Sequence, residues 1–433
     1  MGPFHDTTEE KLAPGPLRAL QAAKLRTLLE ALSSNKFYKA HFKAAGIKAA
    51  DISQLPLEQL PFLSKAQLIA DQSKSPPFGS NLSFPLNDYA RFHHSSGSTG
   101  TAPLRWLDTP ESWEWMVRNW SLIFSAAGLK PKDRVCFAFS FGPFLGFWTA
   151  FDAAARFGAL CLPAGGMSTT ARLRFMLDNG ISVVCSTPTY ALRMAEAAAA
   201  ERVNIALSPV RLLIVAGEPG GSVPGTRARI EAAWGAKCVD HYGMTETGPA
   251  TFACEKVPGR MHVIESEFIA ECVDPKSGAL LPDCPEGVAG ELVLTNLGRT
   301  GSPAIRYRTG DLVKLSRPSP CACGRSFAAL DGGVLSRADD MLIVRGVNVY
   351  PSAIEELIHA QPVVEFKVEV SRVREMTELR ILIEAEHGEN GAALAQKIAA
   401  EIDRNLGIRV AVESAPGGSL PRFEMKARRF VVV

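Results

Sequence analysis

Between residues 134 and 241, short uninterrupted apolar runs alternate with longer amphipathic stretches, and this alternation limits the architecture more than any other feature of the chain. Arg134–Phe139 (RVCFAF), Ala159–Leu162 (ALCL), Val183–Cys185 (VVC) and Leu212–Val215 (LLIV) read as strands, with helices expected over 147–157, 170–179 and 188–202. Runs of this kind have no polar face. A strand that is apolar on both sides must be covered on both sides, so a mostly parallel sheet between two layers of helices is expected. In such sheets ligands bind beyond the carboxyl ends of the strands. Two segments begin where strands should end: Ala216–Gly220 (AGEPG) and Tyr242–Gly248 (YGMTETG), the second directly after Lys237–His241. Both belong on the ligand-binding rim.

The flanking regions follow other patterns. Residues 8 to 45 carry Leu17, Leu20, Leu25, Leu28, Leu29 and Leu32 at helical spacing, and Pro56 and Pro61 end that pattern. Ser64 with Gln67 three residues later predicts a capping box at the start of a short helix. The Pro/Ser/Gly-rich run 73–85 reads as a connector, and Trp113, Met116, Val117, Trp120, Ile123 and Phe124 predict a core-facing helix over 111–126. From about 260 to 335 short strands and turns predict an antiparallel subdomain, for example Gly290–Thr295. Beyond Asp339 the pattern becomes compact α+β, with strands at 341–344, 366–371 and 379–385, helices over 352–359 and 392–405, and a basic tail. A large domain over 1–338 and a small one over 339–433 are therefore expected.

A chain of 433 residues can bury a sizeable core in two or three units. Its 47 Lys+Arg and 45 Asp+Glu leave a formal charge of +2, which offers no field of one sign for nucleic acid or an anionic membrane. The most apolar run, Val135–Phe151, is interrupted by Gly142, Pro143 and Gly146, so it reads as a buried strand, a turn and a helix rather than a membrane span. Nine cysteines, an odd number, lie scattered in a chain too large to need disulfide staples. With no charged segment followed by an apolar one at the N-terminus, a cytoplasmic protein acting on small molecules is expected.

Two clusters carry candidate chemistry. His93–Thr101 (HHSSGSTGT) packs five hydroxyls and two glycines into nine residues with no carboxylate. Such a composition suits a phosphate cradle, because glycines bring backbone N–H groups close and hydroxyls donate further hydrogen bonds. A Walker A loop would place Lys after Gly100, where Thr101 stands. A flexible turn is the other reading of the same residues. The second cluster is Cys321-Ala322-Cys323-Gly324, which Cys254 and His262 could complete as a tetrahedral Cys₃His metal site. Two plain thiols on a turn is its alternative.

In chain order the sequence carries SSGSTGT at 95–101, GEP at 217–219, YGMTE at 242–246, YRTGDL at 307–312, RADDMLIVRGVNVYPSAIEE at 337–356 and LPRFEMKARR at 420–429. Taken together these resemble the adenylate-forming superfamily, and more closely its phenylacetate–coenzyme A ligase branch. The resemblance implies an AMP-forming acid–thiol ligase with a mobile C-terminal domain, using ATP, Mg²⁺ and CoA. A carboxylate would attack the α-phosphorus of ATP to give an acyl-adenylate and pyrophosphate, and a thiol would then displace AMP. A homodimer would suit the family.

The same resemblance implies the roles of individual residues. Ser95, Ser96, Gly97, Ser98, Thr99 and Gly100 would hold the β- and γ-phosphates, Thr245 the α-phosphate, and Glu246 the Mg²⁺. Gly217, Glu218 and Pro219 would form the adenine wall with Tyr242, next to Gly243 and Met244, while Asp311 would accept the ribose hydroxyls and Arg337 would pair with ribose or phosphate. Lys426 would be the catalytic cation, Asp339 the hinge, and Arg345 with Gly346 part of the CoA tunnel. Phe423 and Met425 stand where relatives often carry small residues. Phe141 and Gly142 would line the pocket for the acid, whose flat apolar walls favour an aromatic acid. Relatives carry a similar cysteine and histidine spacing, which implies structural zinc at Cys254, His262, Cys321 and Cys323. Transfer to a carrier protein's phosphopantetheine arm, or nucleotide binding without catalysis, are the alternatives.

Overall fold

Alternate residues of the five central strands face two different cores, which explains why these strands are written as continuous apolar runs. The computed structural model describes residues 8–48, 51–95, 103–281, 288–317, 320–338, 340, 342–344, 347–373, 376–423 and 427–433.

The helical pattern expected over 8–45 is not continuous. Helices α1 (Pro14–Ala31) and α2 (Lys36–Ala44) are separated by residues 32–35, the last of which, Asn35, accepts from Tyr38 N through its side chain. Asparagine suits that position because its amide oxygen takes one of the first-turn N–H groups that have no partner within the helix. Helix α3 (Lys65–Lys74) opens with the Ser64–Gln67 capping box that the spacing predicts. Strands β1 (Arg91–His94) and β2 (Arg105–Asp108) pair antiparallel and bracket the Ser/Gly segment. Helix α4 (Pro110–Ala127) follows, capped by Thr109 and ended by Gly128 at φ 84°, and all six apolar residues used to predict it are buried.

Next come β3 (Arg134–Phe137), α5 (Trp148–Arg156), β4 (Leu160–Pro163), α6 (Thr169–Asp178), β5 (Val183–Ser186), α7 (Pro188–Ala200), β6 (Leu212–Ala216), α8 (Pro224–Trp234) and β7 (Lys237–His241). Their strands form a parallel sheet in the order β4-β3-β5-β6-β7. Phe137, Cys185, Ile214 and Val239 point into one core, while Cys136, Val184, Leu213 and Cys238 point into the other. Because the chain runs from β3 outward to β4 and then back to β5 on the other side, the order reverses beside β3. That reversal opens a crevice at the carboxyl ends of β3 and β5.

A short hairpin of β8 (Gly243–Met244) and β9 (Gly248–Pro249) follows β7. Strands β10 (Thr251–Ala253), β11 (Arg260–Val263), β12 (Phe268–Val273), β13 (Gly290–Asn296), β14 (Tyr307–Ser316) and β15 (Ala329–Arg337) then build an antiparallel sheet in the order β10-β11-β15-β14-β13-β12. This is the expected antiparallel subdomain.

The C-terminal part comprises β16 (Leu342–Val344), β17 (Val347–Val349), α9 (Pro351–His359), β18 (Val363–Val373), β19 (Met376–Ala385), α10 (Gly391–Leu406), β20 (Ala411–Ser414) and β21 (Phe430–Val432). Ile354, Ile358, Phe366, Ile381, Ile398 and Ile402 give it a core of its own. Among the described residues no helix is long and apolar enough to cross a membrane.

Candidate active site

Asp311 lies on β14, in register with Arg337 on β15. Arg337 Nη1 is 3.3 Å from Asp311 Oδ1 and donates to the Thr309 carbonyl at 3.1 Å. Between them Gly310 adopts φ 74°, and a Cβ there would lie 2.6 Å from Arg337 Nη2, so the close approach of the two chains requires glycine. The other Asp311 oxygen, Oδ2, accepts from the Tyr242 hydroxyl at 2.7 Å. Burial and the neighbouring Asp311 carboxylate push the Tyr242 phenol well above its ordinary range, so it stays protonated and donates. Asp311 is thereby held between a ring from the end of the parallel sheet and a guanidinium from the antiparallel one.

Thr245 and Glu246 sit in the turn of the β8–β9 hairpin, and a buried cation fixes them. Arg299 Nη1 donates to the carbonyls of Thr245 at 2.6 Å and Glu246 at 3.1 Å. Its Nε and Nη2 grip both oxygens of Asp108 at 2.6 and 2.7 Å. Asp108 ends β2, so one guanidinium connects the strand leaving the Ser/Gly segment to the Thr-Glu turn. The Glu246 side chain is 2% exposed. Its Oε1 lies 3.2 Å from Lys65 Nζ at the start of α3, an ion pair, and has no hydrogen-bond partner among the described residues. Tyr307 packs beside it, and burial together with the Glu246 carboxylate raises the Tyr307 phenol well above its usual value.

Ser95 closes the base of the Ser/Gly segment. Its N donates to Leu104 O at 2.9 Å and its Oγ accepts from Leu104 N at 3.1 Å. Immediately before it, His94 N donates to Pro143 O at 2.6 Å, tying this stem to the segment that carries Phe141 and Gly142. Phe141 meets Trp148 at 4.8 Å and Phe151 at 5.6 Å, both edge to face, and Trp148 Nε1 donates to Gly142 O at 3.1 Å. The aromatic set continues through Phe139 and Phe147 to Trp120, whose ring lies 4.4 Å from His241. His241 Nδ1 is 2.8 Å from the Thr251 carbonyl, which can only accept, so Nδ1 carries the proton. Burial pushes this imidazole down to about 4, leaving it neutral at pH 7.

Gly217 leaves β6 at φ 98°, and Glu218 and Pro219 follow it onto the rim. Glu218 Oε1 accepts from Thr189 N at 2.8 Å in the first turn of α7, and Oε2 accepts from Ala427 N at 3.0 Å. The structure therefore brings Ser95, Tyr242, Gly243, Met244, Thr245, Glu246, Asp311 and Arg337 into one connected set, with Gly217–Pro219 on the neighbouring strand end. Ser96–Gly100, Asp339, Arg345, Gly346 and Lys426 lie outside the described residues.

Asp108, Arg299, Lys65, Tyr307 and His241 were not singled out by the sequence. His241 and Tyr307 offer a local signal, the first by its place between a buried strand and Tyr242 and the second as the opening residue of YRTGDL. The others reach the site through contacts between distant parts of the chain.

The second cluster also assembles. Ligand atoms of Cys254, His262, Cys321 and Cys323 all lie within 4.8 Å of one another at one end of the antiparallel sheet. Cys254 Sγ and Cys321 Sγ are 3.8 Å apart, and Cys323 Sγ and His262 Nε2 3.4 Å. His262 Nδ1 is 3.1 Å from the Phe327 carbonyl and so holds the proton, turning the Nε2 lone pair toward the thiols. Burial lowers the His262 imidazole to about 4, which keeps it neutral.

Residues 17–298 match the family model described as AMP-binding enzyme, and residues 346–432 match the AMP-binding enzyme C-terminal domain. The chain belongs to the AMP-binding enzyme family. Among curated relatives of this family, the phenylacetate-coenzyme A ligase of Thermus thermophilus is 31% identical, over 96% of each chain. That of Escherichia coli K12 is 31% identical over 95% of this chain and 94% of its own. Among solved structures, 2-hydroxyisobutyryl-CoA ligase in the postadenylation state with 2-HIB-AMP superposes with a TM-score of 0.91 at 28% identity, covering 99% of this chain and 92% of that one. The same ligase gives 0.73 in the thioesterification state and 0.70 in an open conformation. The two domains of this chain are thus arranged most like the postadenylation state of that enzyme.

Replacing Arg299 by Met would leave the Asp108 carboxylate buried without its partner, at an expected cost of about 3–5 kcal/mol. The urea midpoint followed by tryptophan fluorescence should fall accordingly. Asp108→Asn added to Arg299→Met should recover part of the loss, because the stranded charge is then removed. An unchanged midpoint in the single variant would show that the pair carries no stability.

Proposed function

We propose that the carboxylic acid used by this ATP-dependent acid–CoA ligase is aromatic, with the reaction passing through an acyl-adenylate. The observation that carries this reading is the Tyr242–Asp311–Arg337 set beside the Arg299-held Thr245–Glu246 turn, joined through His241 and Trp120 to the rings of Phe147, Phe139 and Phe141. That the curated relatives are phenylacetate-coenzyme A ligases supports it.

The acid arrives already ionised, so its carboxylate oxygen can attack the α-phosphorus without a base. That bond forms as the bond to the bridging oxygen breaks, and pyrophosphate leaves. What the protein must supply is alignment and compensation of charge. Asp311 presents a carboxylate oriented by Tyr242 and Arg337, suited to accept two ribose hydroxyls. Gly217–Pro219 and the Tyr242 ring provide the flat wall for the purine, and the Thr245 hydroxyl stands in the turn that faces the α-phosphate. Ser95–Gly100 cradle the departing pyrophosphate.

Glu246 would hold Mg²⁺ through its buried Oε1, a hard oxygen that has no hydrogen-bond partner among the described residues and whose neighbouring charge here is the Lys65 ammonium at 3.2 Å. When bound, that ion neutralises phosphate charge. Lys426 is the mobile ammonium that meets the charge developing between carboxylate and α-phosphate. In the second half-reaction the thiol sulfur bonds to the acyl carbon, the bond to AMP breaks, and the thiol proton passes to solvent. Rotation about Asp339 would then present Arg345 and Gly346 beside the entering thiol.

Phe141 and Gly142 line the acid pocket, together with Phe139, Phe147 and Trp148 from the same stretch. Their rings meet edge to face, which leaves flat apolar walls suited to a planar ring. The Cys₃His cluster holds structural zinc in this reading. Tetrahedral coordination with Zn–S bonds of about 2.3 Å and Zn–N bonds of about 2.05 Å sets ligand atoms roughly 3.6–3.8 Å apart, close to the separations observed.

Three experiments test these points. A panel of acids assayed for thioester formation with free CoA should give kcat/KM at least about tenfold higher for phenylacetate- or benzoate-type acids than for 2-hydroxyisobutyrate, a difference of about 1.4 kcal/mol in transition-state binding. Preference for the aliphatic acid would overturn the aromatic reading, and acylation of a carrier protein without any CoA thioester would overturn the choice of thiol.

Lys426→Ala should lower acid-dependent ATP–pyrophosphate exchange by about 10²–10³-fold, the usual cost of removing one such charge-stabilising group, with ATP affinity little changed. Metal analysis of protein purified without added metal should find about one equivalent of zinc, and Cys321→Ser should lose it together with thermal stability. Metal-free protein of full stability would leave the four residues as plain side chains.

A further inference from the structure

Glu218 belongs by motif to the purine wall, yet its carboxylate is occupied elsewhere. One oxygen accepts the Thr189 N–H of α7 at 2.8 Å, and the other accepts the Ala427 N–H at 3.0 Å. Ala427 directly follows Lys426 in the chain. The side chain therefore spans the two domains, with its charge at the positive end of α7.

The residues around this contact are fixed on both sides. Arg422 is paired with Glu384 of its own domain at 2.6 Å and lies 3.5 Å from Glu196 on α7. Arg429 is paired with Glu365 at 2.6 Å. Farther along the same interface, Arg229 Nη1 on α8 is 2.9 Å from His359 Nδ1 on α9. Within the 420–429 motif, the hydrogen bond from Ala427 N to Glu218 is the link to the large domain nearest Lys426 among the described residues.

The likeness of this arrangement to a postadenylation state, at a TM-score of 0.91 against 0.73 for the thioesterification state, assigns the contact to one of the two domain positions. A bond between Glu218 and Ala427 requires the C-terminal domain to be docked as it is here. When that domain swings away, the bond must break.

We propose that Glu218 is a positioning residue for adenylate formation alone: in the docked arrangement its carboxylate takes the backbone N–H next to Lys426 and so sets where that lysine sits. This rests on the assignment of Lys426 as the catalytic cation. The chemistry requires a carboxylate, since two N–H groups approach it and both need an acceptor. A glutamine offers one oxygen and turns an NH₂ group toward the other N–H. An aspartate is one methylene shorter and reaches only one anchor.

The test uses the full-length enzyme and separates the half-reactions. Glu218→Gln should lower kcat for acid-dependent ATP–pyrophosphate exchange by about tenfold to a hundredfold, with KM for ATP changing by less than about threefold. Thioester formation from synthetic acyl-adenylate and CoA should stay within about twofold, which also shows that the variant is folded.

Unchanged exchange would overturn the proposal. So would a parallel fall in both half-reactions, which marks a structural role, or a rise in KM for ATP at unchanged kcat, which marks a purine contact. Combining Glu218→Gln with Lys426→Ala distinguishes this proposal from the one beneath it. If Glu218 acts through Lys426, adding Glu218→Gln to Lys426→Ala lowers exchange no further than Lys426→Ala does alone. Exchange in the double variant clearly below that of Lys426→Ala would overturn the role of Glu218 while leaving Lys426 in place, and full exchange in Lys426→Ala alone would remove Lys426 whatever Glu218 does.

Discussion

The bidentate pair of Arg299 with Asp108, both side chains wholly buried, is the interaction on which the geometry of the site depends. Burying two charges is costly, and an ion pair repays that cost only when its remaining donors are also satisfied. Here they are, because Arg299 spends its third nitrogen on the carbonyls of Thr245 and Glu246. The consequence is positional. Strand β2, which leaves the phosphate segment, and the β8–β9 turn, which carries the threonine and glutamate, cannot shift independently. A hydrophobic pair of equal volume could fill the space but would leave two carbonyls without donors and the turn without a fixed distance to the loop.

The same logic appears at the carboxyl ends of the parallel strands. The strand order reverses beside β3, and the chain leaving β3 at this switch point is rich in aromatic rings that meet edge to face. His94 N bonding to Pro143 O then fastens this aromatic segment to the stem of the phosphate loop. The stem that precedes the Ser/Gly segment and the stretch carrying Phe141 and Gly142 are in this way neighbours by backbone hydrogen bonding. In the proposed reaction this is what sets the acid beside the phosphate-binding residues.

The inner strands of the central sheet were legible because two-sided burial excludes polar residues, and that exclusion is visible in Val183–Cys185 and Leu212–Val215. The helix over 111–126 and the Ser64 cap were legible for the same local reason. Asn35 was a cap in plain sight within a leucine pattern, and a continuous period concealed the break. Site residues within motifs could be named because their spacing is short. Arg299 and Asp108, 191 positions apart, could not, since nothing near either residue signals that the other will be its partner. Lys65 was likewise visible only as the first residue of a capped helix, although it supplies the charge beside Glu246. The cysteine and histidine set lies between these cases: Cys321 and Cys323 announce themselves, whereas Cys254 and His262 join them only because β10, β11 and the turn before β15 come together at one end of the sheet.

In the proposed reaction the nucleotide site is divided between a part that is held and a part that travels, and Arg337 marks the border. It lies on β15, the last strand of the large domain, bonded to Asp311 and to the Thr309 carbonyl, and the chain passes from it within two residues to Asp339. The ribose carboxylate is therefore anchored by the strand from which the small domain departs. A rotation beginning after Arg337 leaves Asp311 undisturbed, because the register of β14 with β15 is set upstream of it. On the other side of the border the C-terminal part meets the large domain through the Ala427 N–H on Glu218, Arg422 beside Glu196, and His359 Nδ1 beside Arg229 Nη1. In the proposed reaction the Asp311–Arg337 attachment persists through both half-reactions, whereas the Ala427–Glu218 bond breaks between them. The first is built into the register of two neighbouring strands, and the second is a backbone hydrogen bond between two domains.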